Sequence, residues 1–127
     1  MNMELPPKIE IGQILQMIGS DGFTPEVKGL YGRWLDQEQA LVKTSADSAR
    51  LNIIMADVYL ATGDAEGALE SLEQTIDQVG QEIDETQKTN SDRYSNLAER
   101  DIASQVFKAL YNEIAEKIEN IKKMTKK

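Results

Sequence analysis

The chain has no cysteine and no histidine. Without cysteine there is no disulfide framework, no thiolate nucleophile and no cysteine-based zinc site. Without histidine the commonest general base and the commonest transition-metal ligand are both missing. Carboxylate, Lys, Tyr, Ser and Thr chemistry remains. No glycine-rich phosphate loop or nucleophile elbow stands beside those groups, so neither an enzyme nor a bound metal or other cofactor is expected. No run approaches the ~18–20 uninterrupted apolar residues of a membrane helix. The amino terminus lacks the basic start and apolar core of a signal peptide, so a cytoplasmic protein that binds no membrane is expected. Basic residues are also in short supply, 14 Lys+Arg against 22 Asp+Glu, for a net charge of −8. A nucleic-acid-binding protein carries a basic face to meet phosphates, and nucleic acid is therefore not an expected partner.

Proline is scarce, and its placement is informative. Pro6, Pro7 and Pro25 are the only three, all in the first fifth of 127 residues. After Pro25 nothing forces the backbone out of a helix. No alternation of β-branched and polar residues is sustained, so an all-α fold of about five helices is predicted. The length suits one domain. The expected division is an extension over 1–8, a helical domain over 9–124 and a basic end over 125–127.

The first helix is predicted from about Ile9 to Ile18, ended by Gly19-Ser20-Asp21-Gly22. Thr24 is a cap and Pro25 a first helical residue for the second, whose stripe includes Val27, Leu30, Tyr31, Trp34 and Leu35. A polar break at Ser45–Ser48 offers Ser45 or Asp47 as cap for a third helix reaching about Thr62. Gly63-Asp64 makes a tight turn into a fourth helix from about Ala65 to Val79. Gly80 either ends that helix or lets it run through Ile83. Asp84 to Asp92, with no apolar residue, reads as a solvated connection. A long last helix spans about 92–124, with Ala103, Val106, Phe107, Leu110, Ile114, Ile118 and Ile121 at steps of three and four.

From Ala56 the chain reads A-D-V-Y-L-A-T-G-D-A-E-G-A-L-E-S-L. Two helices joined by so few residues must pack along their length, and small side chains at Ala56 and Ala68 permit their close crossing. Gly63 accommodates a left-handed conformation at the helix end, and Asp64 can cap the next helix. This segment resembles the helix–turn–helix of a tetratricopeptide repeat, over about residues 49–80. Small Ala56, Tyr59, the Gly63-Asp64 turn, small Ala68, Leu69 and Leu72 carry the match. Asn52 stands where the repeat has a large residue, and Gly80 where it has Pro. The flanking helices do not repeat the pattern, so the hairpin is expected to be packed by them.

The resemblance implies a non-catalytic protein–protein interaction module, an adaptor, chaperone-like or scaffold subunit. It also implies a partner-binding groove lined by Arg50, Ile53, Asp57 and Leu60. The competing expectation is that a flanking helix covers Ile53 and Leu60. A different class of function is a structural homo-oligomer self-associating through the long carboxyl-terminal helix.

Thr62 to Glu73 partly imitates a calcium-binding loop, but Thr62 replaces the first Asp and the helical pattern of Ala65–Leu72 accounts for the same residues. The charge is unevenly distributed. Leu51 to Gln87 holds nine acids and no Lys or Arg, whereas Lys117 to Lys127 carries five lysines and one glutamate. Residues 1–116 therefore sum to −12 and the tail to +4. Glu66, Glu70, Glu73 and Asp77 share one helical face, at a cost of a few tenths of a kcal/mol per repelling pair. A solvated face accounts for the run, and a basic protein or peptide partner is its functional alternative.

Overall fold

The computed structural model describes residues 10–88 and 96–125. These are all-α: helices α1 (Ile11–Asp21), α2 (Pro25–Leu41), α3 (Ser45–Ala61), α4 (Ala65–Gln87) and α5 (Leu97–Thr125), with no strand among the described residues. The expected extension over 1–8, the Asp92 start of the last helix and the end of the basic tail lie outside the described residues. Where a single domain over 9–124 was expected, contacts divide the chain into two compact units, Met1–Leu41 and Val42–Lys127.

In the first unit, α1 runs three residues past Ile18 and stops at Gly22, which takes φ +81° and donates its N–H to the Ile18 carbonyl at 2.9 Å. Gly19 and Ser20 are thus helical, and the left-handed residue that ends the helix is the second glycine. Thr24 caps α2, its Oγ1 accepting from the Val27 N–H at 3.2 Å. Ile14, Ile18, Val27 and Trp34 are buried. Tyr31 stacks on Trp34 with centroids 6.0 Å apart, and Phe23 meets Tyr31 edge-on at 6.2 Å.

The second unit is a three-helix assembly. Its α3 begins at Ser45, so the polar break is the helix's first turn. The cap is Thr44, not Ser45 or Asp47: its extended backbone lets Oγ1 accept from the Asp47 N–H at 3.1 Å. Asp47 occupies the third helical position and reaches back, Oδ2 accepting from the Lys43 N–H at 3.3 Å. The first-turn N–H of Asp47 and the N–H of Lys43, just before the cap, are thereby satisfied together. That backbone N–H holds the Asp47 carboxyl below its usual range against an opposing desolvation, with smaller lowering contributions from Thr44 and the Arg50 charge.

Gly63, at φ +86°, turns the chain between α3 and α4. Asp64 then caps α4, its Oδ1 accepting from the Gly67 N–H at 2.8 Å. A β-carbon at Gly67 would press on the capping carboxyl, its Cγ only 2.8 Å away, so the cap and the glycine go together. Ala65 through Glu73 is helical, and Thr62–Glu73 does not form a calcium-type loop. Ala56 and Ala68 are fully buried in one cluster, the small residues about the turn packing inward as their size requires.

Helix α4 passes Gly80 and continues to Gln87, so Asp84–Gln87 is helix and not connection. The extension has an apolar cause. Val79 is buried, Ile83 packs against the core and Thr86 is 2% exposed. The buried hydroxyls are satisfied locally, Thr75 Oγ1 donating to the Ser71 carbonyl at 2.7 Å and Thr86 Oγ1 to Ile83 at 2.6 Å. Helix α5, about 43 Å long at 1.5 Å per residue, buries Phe107, Leu110, Ile114 and Ile121 against Ala49, Ile53, Ala56, Ala68, Leu72 and Val79. No described helix is long and apolar enough to cross a membrane.

Candidate docking surface

The groove expected on α3 is occupied from within. Ile53 is only 5% exposed and belongs to the core that α5 completes, and Leu60 packs half-buried against that core. Asp57 Oδ1 meets Lys117 Nζ of α5 at 3.1 Å, an ion pair that ties the middle of α3 to α5. Arg50 stays at the start of α3, paired with Asp47 at 3.6 Å. The four residues therefore do not line one open surface: two serve the core, one holds α5, and one remains at a solvated helix end. The physical reason is the stripe on α5, whose apolar residues have nowhere else in this unit to be buried. The same burial means that the stripe expected to join copies of the chain is consumed within one copy. Exposed on α5 are Leu97, Ile102, Tyr111 and Met124.

What α4 presents outward is mainly carboxylate. At 100° per residue, Glu66, Glu70, Glu73, Asp77 and Asp84 fall within a ~60° arc of α4, and all five are exposed. Asp84 joins this file only because α4 extends beyond Gly80. Among the described residues none of the five takes part in a salt bridge. The ridge spans residues 66–84, about 27 Å at 1.5 Å per residue.

A cleft lies on each side of this ridge. Toward α3, about 500 Å³ is bounded by Asn52, Met55, Tyr59, Glu70 and Gln74. Toward α5, about 540 Å³ is bounded by Ile76, Asp77, Gly80, Ile83, Asp84 and Tyr111. Tyr59 and Tyr111, each more than a third exposed, thus stand on opposite flanks of one acidic helix. A smaller cavity of about 170 Å³ near the start of α3 is crossed by a hydrogen bond from Ser45 Oγ to Glu82 Oε1 at 3.5 Å. Among the described residues no group of three or more Asp or Glu side chains is disposed to hold a metal ion.

Of this surface, the four carboxylates from Glu66 to Asp77 are readable from helical spacing. Asp84, Gly80 and Tyr111 are not. The signal that could have found them is the apolar series Ile76, Val79, Ile83, which keeps the helical period across the glycine. No known protein family, curated protein or solved structure matches the chain.

Proposed function

We propose that the protein is a non-catalytic interaction module whose second unit docks a basic segment of another protein on the acidic side of α4. The observation that carries this reading is the ridge itself: five exposed carboxylates on one arc, within a stretch of 37 residues, 51–87, that holds no Lys or Arg. Like charges at three- and four-residue steps destabilise a helix slightly, and a cationic partner relieves that cost while gaining association rate by steering. The tetratricopeptide-like hairpin supplies the rigid support, with its own α3 face closed by α5 and its α4 face left to solvent. On this reading the role is that of an adaptor, chaperone-like or scaffold subunit.

The test is affinity purification from the source organism with the full chain and with its E66Q/E70Q/E73Q/D77N variant. Partners recovered by the wild type and lost by the variant are expected, with elution at a few hundred millimolar salt as screening sets in. Recovery of the same partners at the same salt by the neutralised variant counts against the proposal.

A second reading, self-association through α5, is favoured by Leu97 and Ile102, 77% and 63% exposed at the start of that helix. Light scattering across micromolar concentrations separates the two. A dimer abolished by Ile102→Asp supports self-association, and a strict monomer removes it.

A further inference from the structure

Four of the eight glycines lie inside the two helices of the first unit, Gly12 and Gly19 in α1 and Gly29 and Gly32 in α2. All four are exposed, and nothing stands within 4 Å of where a β-carbon would be. None of them has a positive φ. Neither a turn nor a close helix crossing within the chain therefore uses them. In a helix interior each glycine lowers the folding equilibrium about four- to fivefold relative to alanine. The helix ends are weak as well. Glu10 gives α1 no side-chain cap, its first turn holds no acid, and neither α1 nor α2 has a base in its last turn. Asp21 and Glu38 stand in those last turns instead, against the carbonyl end of the helix dipole.

We propose that the α1–α2 hairpin is a conformational device that opens as a unit while α3, α4 and α5 stay folded, and that its solvent-facing glycines set how often it opens. The contrast with the second unit runs through every local feature. There α3 and α4 start from the side-chain caps Thr44 and Asp64, and α5 ends on Lys122 and Lys123. A helix of 11 residues such as α1 is marginal by itself. A two-helix unit of this size with no disulfide stands at the lower limit of independent stability, about 40 residues. Opening it uncovers only Ile14, Ile18, Val27 and Trp34, whereas the remaining buried apolar residues, from Ala49 to Ile121, belong to the second unit. Gly29 and Gly32 act from both sides of the equilibrium. They add no contact to the closed hairpin, and they give the opened chain more backbone freedom than alanine would.

The experiment is hydrogen exchange followed by mass spectrometry on the full chain and on its G29A/G32A variant. In the wild type, peptides from α1 and α2 should exchange together, faster than the protected peptides of α3, α4 and α5. The variant should slow exchange in α1 and α2 about 15- to 30-fold, two interior glycines at four- to fivefold each, and leave α3, α4 and α5 unchanged. A second measurement uses Trp34, the only tryptophan, as a reporter placed in the first unit. In a urea titration its fluorescence should change before the main loss of far-UV helix signal, and G29A/G32A should move the fluorescence midpoint upward while the main helix transition stays in place. Superimposed fluorescence and helix transitions in the wild type, or equal protection across all five helices, overturn the proposal. Unchanged or faster exchange of α1 and α2 in the variant also overturns it, because the glycines would then not be what loosens the hairpin.

Discussion

Ile53 separates a closed α3 face from an open one, and the cost of truncating it can be worked from the structure. The side chain is 5% exposed within the cluster that joins α3, α4 and α5. Ile53→Ala removes three carbons, about 2.4 kcal/mol at ~0.8 kcal/mol each, and leaves a cavity that neighbouring residues fill only in part. Alanine's better helix propensity returns a few tenths of a kcal/mol. The net loss expected is about 2–4 kcal/mol. The assay must report on the second unit, and the only tryptophan, Trp34, lies in the first. Hydrogen exchange followed by mass spectrometry on peptides from α3, α4 and α5 resolves this. The most protected amides should exchange about 30- to 1,000-fold faster, since 1.4 kcal/mol is about a factor of ten. A loss below about 0.5 kcal/mol, the cost of an ordinary surface substitution, would mean that Ile53 faces solvent and that α5 does not close the face.

Gly63→Ala, which places a β-carbon at φ +86°, should cost about 1–2 kcal/mol, read by the same exchange measurement. Asp57 and Lys117 are each about a third exposed, so a double-mutant cycle with Asp57→Asn and Lys117→Met should give a coupling of at most ~1 kcal/mol that shrinks in 0.5 M salt. Asp47 has its carboxyl held low, chiefly by the Lys43 N–H. Its contribution to the start of α3 is therefore complete above the ordinary carboxylate pKa and lost as pH falls through the lowered one. The Lys43 amide shift should follow that acid titration, and the dependence should vanish in Asp47→Asn.

The helices of this chain were legible wherever a local signal decides them. Thr24 and Asp64 cap as their positions suggest, Gly63 turns as a glycine between two helical stripes must, and Ala56 and Ala68 go inward because small residues mark close crossings. The misreadings share one cause, tertiary packing overriding local composition. Asp84–Gln87 looks like connection because it is polar, yet Ile83 and Thr86 find the core and draw the helix with them. Ser45–Asp47 looks like a break, yet Thr44, one residue earlier, satisfies the first turn. For the candidate site the α4 carboxylates follow from spacing alone. The fate of Ile53 and Leu60 depended on where α5 lies, and no spacing within α3 encodes that. Tyr111 over Gly80 is a contact between residues 31 apart in sequence, so it emerges only from the assembled helices.

The claim on which the account turns is that a partner meets the carboxylates of α4, and zero-length carbodiimide coupling tests it most directly because it joins a carboxylate only to an amine in contact. After coupling the full chain in extract of the source organism, peptide mapping should join partner lysines to Glu66, Glu70, Glu73, Asp77 or Asp84. Partner peptides joined to the chain only through α1, α2 or the lysines of α5, with the α4 carboxylates uncoupled, would contradict it.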